Sequence, residues 1–146
     1  MAKVQDHEFP EHLLYDLDNQ IWYEPLADGS VRAGFTPLAM ALAGDVLVFT
    51  PKRIGRDFEK NRSFATIECG KWIGSARAAF DGIVVAHNEL LIRKPELLNS
   101  DAFGSGWMLI VTPAGEGWRE GLITGGKVSA AFEAWVASAA YKDRTE

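Results

Sequence analysis

Short apolar runs separated by turn residues dominate the pattern of hydrophobic and polar positions along this chain. Turn signals include Asp28-Gly29, Gly44-Asp45 and Asp81-Gly82. The apolar runs between such turns cover residues 20–26, 30–35, 46–50, 63–69, 77–86 and 107–112. Many short strands joined by regular turns are typical of antiparallel sandwiches and barrels. The pattern therefore predicts a mainly β fold, a flattened antiparallel barrel or sandwich.

Two helices interrupt this pattern. Thr36-Pro37 predicts a short helix near 37–43, because Thr caps helix starts and Pro suits the first helical position. A second helix is predicted near 127–141, where the chain is rich in Ala. Its large or apolar residues recur at helical spacing, at Phe132, Trp135, Val136, Ala139 and Ala140. No linker divides the chain, so we expect a single domain over residues 1–146.

Composition and charge narrow the function classes. The chain has 146 residues, of which 47% are hydrophobic, so it can bury a substantial core. Its net charge of −5 disfavours nucleic acid as the main partner. No stretch approaches the ~20 apolar residues that span a membrane, and the polar start lacks a secretory apolar core. With one cysteine and three scattered histidines there is neither a disulfide framework nor zinc-ligand spacing, so we expect a cytoplasmic protein without a metal site.

Lys71 is the residue with the most distinctive position. A strand-like run over 63–69 leads into it and another over 76–87 leads away, so the pattern predicts a lysine in a tight turn. A free lysine near its reference pKa of ~10.4 is a protonated cation and a poor catalyst. We therefore expect no Schiff-base catalysis by Lys71. An exposed lysine in a turn instead suits attachment of a group by a modifying enzyme.

A series of motifs then identifies a family resemblance. Glu68 stands three residues before Lys71, and further motifs fit one family pattern without a gap between Gly34 and Trp107. These motifs are Gly34-Phe35-Thr36-Pro37-Leu38-Ala39, Gly44-Asp45-Val46, Asn88-Glu89, Pro95-Glu96-Leu97, Asn99-Ser100-Asp101 and Gly104-Ser105-Gly106-Trp107. From about Phe9 to about Thr112 the chain resembles the H protein of the glycine cleavage system, a lipoyl carrier.

This resemblance implies a lipoyl-domain-like barrel-sandwich hybrid with lipoate bound covalently to Lys71. It implies a non-catalytic carrier subunit that is modified by a lipoate ligase or a lipoyl transferase. Biotin is the other cargo of such hairpins, but biotin carriers typically flank their lysine with methionines. The run Cys69-Gly70-Lys71-Trp72 contains none.

Five residues beside the lysine are candidates for recognition: Glu68, Cys69, Gly70, Trp72 and Ile73. Glu68 either helps the ligase recognise the hairpin or is a solvated strand charge. Trp72 and Ile73 either anchor a partner or fold back onto the hairpin. Cys69 either meets the lipoyl sulfurs or is a small buried strand residue.

Several departures from the glycine cleavage pattern bear on which partner enzymes the chain serves. Cys69-Gly70 and Trp72-Ile73-Gly74 replace small or charged residues, and Gln20-Ile21 replaces a His-Glu pair before Trp22. Residues 52–62 hold five basic residues against two acidic ones; the basic residues are Lys52, Arg53, Arg56, Lys60 and Arg62. A different set of partners is the expected consequence.

These departures make the chain similar to the lipoate-binding proteins encoded with the heterodisulfide-reductase-like system of sulfur-oxidising bacteria. That similarity implies a carrier of sulfur intermediates for a heterodisulfide-reductase-like complex. The first alternative is a glycine cleavage carrier of the aminomethyl group, which serves the glycine cleavage enzymes, with lipoamide dehydrogenase as a candidate partner. The second is an unmodified regulatory or binding module that kept the fold.

Overall fold

The computed structural model describes residues 2–4, 7–70 and 73–138. Eleven strands lie in this part of the chain: β1 (Ala2–Val4), β2 (His7–Phe9), β3 (Leu14–Asp16), β4 (Ile21–Pro25), β5 (Val31–Phe35), β6 (Val46–Pro51), β7 (Asp57–Phe58), β8 (Ser63–Cys69), β9 (Ile73–Arg77), β10 (Gly82–His87) and β11 (Leu109–Pro113). The α-helices there are α1 (Pro37–Ala43), α2 (Glu89–Arg93), α3 (Leu97–Ser100) and α4 (Val128–Val136). Two 3-10 turns, Glu116–Arg119 and Gly125–Lys127, precede α4.

Two antiparallel sheets enclose the main core. A six-stranded sheet has the order β3-β4-β5-β11-β10-β7, and a three-stranded sheet has the order β6-β8-β9. Strands β1 and β2 form a separate pair. The main cluster of buried side chains draws on both larger sheets, including Tyr23, Val31, Phe49, Phe64, Ile67 and Val111. The prediction of a mainly β, antiparallel, sandwich-like fold is confirmed.

The short helix predicted near 37–43 is confirmed as α1. Thr36 caps it, because its Oγ1 accepts a hydrogen bond from the Ala39 N–H at 3.2 Å. The Thr36 hydroxyl also donates to Oε1 of the buried Gln20 at 2.6 Å. Gly44 ends the helix with a φ of 80°, a conformation that glycine adopts without strain.

The C-terminal helix is shorter than predicted. Helix α4 ends at Val136, where the predicted helix continued to 141. After it the Ser138 N–H donates to the Trp135 carbonyl, and the Ser138 hydroxyl donates to the same oxygen. Serine side chains that bond nearby carbonyls compete with helical pairing in this way. The remaining residues of the prediction, 139–141, lie outside the described residues.

Helix α4 packs as its apolar spacing predicted. Phe132 stacks on Phe9 with ring centroids 4.2 Å apart and meets Tyr15 edge to face at 5.1 Å. Trp22 of β4 belongs to the same buried cluster. The helix thereby joins strands β2, β3 and β4 through a second, largely aromatic core.

The single strand predicted over 77–86 is wrong. The chain forms β9 in the three-stranded sheet and then β10 in the six-stranded sheet. Between them the Ala78 N–H donates to the Arg62 carbonyl at 2.9 Å, and the Ala79 N–H donates to the Tyr23 hydroxyl at 3.1 Å. These bonds direct the chain from one sheet to the other. The turn signal Asp81-Gly82 marks this break at the start of β10, and the prediction of a single strand over 77–86 overlooked it.

Candidate functional site

The hairpin of β8 and β9 carries the candidate site. Its antiparallel register ends with Glu68 opposite Ile73, and β6 lies on the other side of β8, with Val48 opposite Glu68. Lys71 and Trp72 lie outside the described residues. The strand before the lysine segment, β8, is the one predicted over 63–69, whereas the strand after it is β9 (Ile73–Arg77) and not the predicted run that begins at 76. The role of Lys71 stays a prediction.

One exposed face of this sheet is apolar beside the lysine segment. Val48, Glu68 and Ile73 share a face because residues directly opposite one another in a sheet point the same way. Ile73 is 69% exposed, so it does not fold back onto the hairpin. Leu47 is 60% exposed and Val48 is also exposed. We call Leu47, Val48 and Ile73 the apolar hairpin face.

The sequence pattern does not reveal the part of this face that β6 supplies. The run Val46-Leu47-Val48-Phe49 is continuously apolar and looks like a fully buried strand. The pairing with β8 shifts register between Val46 and Val48. Such a bulge disturbs the alternation of inward and outward side chains. Two consecutive apolar side chains are consequently exposed.

Cys69 points into the protein. Its side chain is buried in the main core cluster, and its partner across the sheet is Val46. Burial raises the pKa of the Cys69 thiol. Because the thiolate is the nucleophilic form, this cysteine is poorly activated near neutral pH. Gly70 contrasts with it, since Gly70 is exposed and an added Cβ would meet no atom within 4 Å.

A cleft of about 420 Å³ opens beside the hairpin. The hairpin contributes Ile67, Gly74, Ser75 and Arg77, and Gly74 and Ser75 follow Lys71 closely in the sequence. The other walls are Asp18, Asn19, Gln20, Phe35, Ala39, Met40, Leu42 and Ala43. Among the described lining residues, Asp18 and Arg77 are the charged ones. Sequence reasoning missed this cleft because its walls come from three segments that are far apart in the chain.

Gln20 fixes one wall of the cleft. It occupies the place of a family histidine, and its backbone has a φ of 56°, which few residues other than glycine adopt. Its amide nitrogen donates to the Leu17 carbonyl at 2.9 Å, and its amide oxygen accepts from Thr36. Gln20 thereby ties the turn before β4 to the start of α1.

The basic residues lie away from the lysine segment. Arg53, Arg56, Lys60 and Arg62 are exposed. The Lys52 N–H donates to the Phe64 carbonyl, which places this segment at the start of β8, whereas the lysine segment follows its end. Phe64 and Cys69 are five positions apart, so about 17 Å of extended strand separates the two ends.

The comparison with protein families decides the identity. A family described as glycine cleavage H-protein matches residues 13–134. This chain belongs to that family. Its members are non-catalytic subunits that carry lipoate covalently on a lysine. The resemblance predicted from the sequence motifs is thus confirmed at the level of the family.

Individual relatives cover most of the chain. Glycine cleavage system H protein 5 of Aquifex aeolicus is 42% identical over 118 residues, which cover 78% of this chain and 79% of that protein. Probable glycine cleavage system H protein 2 of Sulfurisphaera tokodaii is 34% identical over 111 residues, 75% of each chain. The crystal structure of a glycine cleavage system H protein from Mycobacterium marinum is similar with a TM-score of 0.72 and 25% identity. That similarity covers 86% of this chain and 99% of the other.

These relatives bear differently on the two carrier hypotheses. Their names support the glycine cleavage alternative more directly than the sulfur system, which none of these names mentions.

No helix in the described part of the chain is long and apolar enough to cross a membrane.

Proposed function

We propose that this chain presents lipoate as an amide on Lys71 and serves a multi-enzyme system as its carrier. The observation that supports this most strongly is the position of the lysine segment, which directly follows the last residues of β8 in a chain of the H-protein family. Gly70 and Ile73, the described residues on either side, are both exposed. A lipoate ligase or lipoyl transferase would therefore find the residues on both sides of the lysine segment accessible.

The division of labour between cofactor and protein follows from this. The lipoyl dithiolane supplies thiol–disulfide chemistry and can hold a transferred group. The protein supplies a firm base, because β8 is paired with β6 on one side and with β9 on the other. The apolar hairpin face and the cleft then give a partner enzyme specific surfaces to contact beside the attachment point.

Glycine cleavage is the first candidate system. The relatives of this chain are named as glycine cleavage system H proteins, and their alignments cover three quarters or more of it. In this function the carrier holds an aminomethyl group and serves the glycine cleavage enzymes, with lipoamide dehydrogenase as a candidate partner.

Sulfur oxidation with a heterodisulfide-reductase-like complex is the second candidate. The apolar hairpin face favours it, because a carrier that exposes Leu47, Val48 and Ile73 beside its lysine needs a partner with a matching apolar surface. A single organism, Aquifex aeolicus, has several numbered H proteins, among them 2, 3 and 5. Division of labour among members of one family is consistent with that numbering.

Reconstitution separates the two candidates. The lipoylated protein is added to a complete glycine cleavage system in place of its own carrier, and an authentic H protein is the control. Turnover comparable to the control assigns the chain to glycine cleavage. Turnover far below the control, together with reduction of its lipoyl group by a heterodisulfide-reductase-like complex, assigns it to sulfur oxidation. An unmodified module would show no lipoyl mass in a host that lipoylates the control.

A further inference from the structure

A second exposed surface combines positive charge with aliphatic side chains, far from the lysine segment. It consists of Arg53, Ile54 and Arg56, which follow β6, and of Ile83 and Val85 on β10. We call these five residues the basic–apolar patch. All five are exposed, and Ile54 is 56% exposed at the tip of its turn.

Backbone hydrogen bonds hold the two parts of the patch together. The Gly55 N–H donates to the Val84 carbonyl at 2.8 Å, and the Val84 N–H donates to the Arg56 carbonyl at 3.0 Å. The Arg56 N–H closes the turn on the Arg53 carbonyl at 3.2 Å. Gly55 has a φ of 88°, which allows this turn. The patch is therefore part of the ordered sheet edge and keeps its shape before any partner binds.

The aliphatic part of the patch is a continuation of the sheet surface. Ile83 and Val85 alternate with the buried Gly82 and Val84, so they share the outer face of β10. Ile83 is opposite Asp57, the carboxylate closest in register to the patch. The exposed aliphatic side chains of Ile54, Ile83 and Val85 leave apolar area in water that a partner can cover.

The charge of the patch opposes the charge of the whole chain. The chain carries −5, yet residues 52–62 hold five basic residues against two acidic ones. Across the described part of the chain, neither Arg53 nor Arg56 has an acidic group within ion-pair distance. Arg77 of β9 adds another exposed cation near this end, where it donates to the Asn61 carbonyl. Free guanidinium groups around an aliphatic centre match the composition of protein interfaces, in which Arg is enriched.

We propose that the basic–apolar patch docks an enzyme of the carrier's own multi-enzyme system through an acidic surface with an apolar centre. This inference rests on the proposed carrier function. The patch lies beyond the opposite end of β8 from the lysine segment, a strand length of about 17 Å. An enzyme held there leaves the apolar hairpin face uncovered. A protein fits better than a polyanion, because the net negative charge of the chain repels nucleic acid and anionic membranes.

Association kinetics test this proposal. The probes are the purified glycine cleavage enzymes and a heterodisulfide-reductase-like complex, each immobilised in turn. Every variant is built on Lys71→Arg, which cannot be lipoylated, so docking is measured apart from the lipoyl function. The test variant is Arg53→Glu with Arg56→Glu, and Ile54→Thr reports on the aliphatic part. The control is Lys94→Glu with Lys127→Glu, which changes the net charge equally at exposed positions outside the patch.

The expected result is an association rate constant about tenfold lower for the Arg53/Arg56 variant at low salt, with the difference shrinking as salt rises. The control is expected to change by less than about twofold, and Ile54→Thr to act mainly on dissociation. Equal rates for the test variant and the control would overturn the proposal, and so would the absence of binding to every probe. Binding to vesicles of phosphatidylcholine and phosphatidylglycerol that requires Arg53 and Arg56, without an effect on enzyme binding, would also overturn it. The proposed carrier function fails separately, through the absence of lipoate from Lys71.

Discussion

Glu68 and Ile73 face each other across β8 and β9 as the last paired residues before the lysine segment. Val48 lies on the other side of Glu68, so the carboxylate stands between two exposed aliphatic side chains. A protein that docks here must satisfy a negative charge and cover apolar area in the same contact. This combination gives the hairpin a surface that a partner can distinguish from those of other lipoyl carriers.

The Ile73→Thr variant removes aliphatic area from the apolar hairpin face and keeps a β-branched residue in β9. We expect the KM of the partner enzyme for the lipoylated carrier to rise about tenfold, since anchors in the centre of an interface often contribute over 1 kcal/mol. The free energy of unfolding should change by less than about 0.5 kcal/mol, because Ile73 is exposed. Ile92→Thr, at another exposed aliphatic position, is the control, and equal KM values for the two variants would contradict the role of Ile73.

Glu68→Gln removes the carboxylate while it keeps the shape of the side chain. If the ligase reads this charge, the variant should be lipoylated at least about fivefold more slowly, an effect of roughly 1 kcal/mol, typical of a charged contact. The measurement is the initial rate of lipoylation by purified lipoate ligase, with Glu96→Gln as the exposed control. An unchanged rate would show that Glu68 is only a solvated strand charge.

Gly34→Ala tests the packing that supports β4 and β5. Gly34 lies directly opposite Trp22, and an added Cβ would come within 2.7 Å of the Trp22 ring. The ring is also held by a hydrogen bond from its Nε1 to the Ala102 carbonyl at 3.0 Å, so it has little freedom to move. We expect a loss of about 1–3 kcal/mol in the free energy of unfolding, as for other overpacked cores. Gly115→Ala, where an added Cβ meets nothing within 4 Å, is the control in chemical denaturation, and equal stability would refute this packing argument.

The comparison of sequence and structure shows which features a linear pattern can reveal. Thr36-Pro37 predicts α1 because both residues act locally, through a side-chain cap and a fixed φ. The turn signal Asp81-Gly82 marks the split between β9 and β10, but the change of sheet there escapes the pattern, since it depends on bonds from Ala78 and Ala79 to partners remote in the chain. The cleft beside the hairpin and the exposure of Leu47 are missed for the same reason. Lipoylation of Lys71 has no local chemical signal in the sequence. The family motifs on both sides of the lysine are what predict it.

Stability should fall at alkaline pH because three buried acids are protonated in the folded state. Burial raises the pKa of Cys69, of Tyr15 and of Tyr23 above their ordinary values. The unfolded chain then loses these protons first, so the stabilisation is complete below the unfolded pKa values and declines as pH rises beyond them. The decline should begin near pH ~8.5 for the thiol and steepen near ~10 for the phenols.

Chemical denaturation between pH 7 and pH 11 measures this effect. Tyr15→Phe removes one titrating group and should flatten the decline above pH ~10, where phenols ionise, although it also loses the hydrogen bond to the Pro10 carbonyl. Cys69→Ala should flatten only the first part of the decline. A free energy of unfolding that is constant up to pH 11 would contradict the burial of these three groups.

Lipoylation of Lys71 is the central claim, and mass spectrometry of the intact protein and its peptides tests it most directly. The protein is produced in a host that lipoylates an authentic H protein, beside the Lys71→Arg variant. We predict one lipoyl group per chain, located on the peptide that contains Lys71, and none on the variant, whose fold and stability stay unchanged. A lipoyl group on another lysine, or an unmodified mass while the authentic H protein is fully lipoylated, would contradict the account.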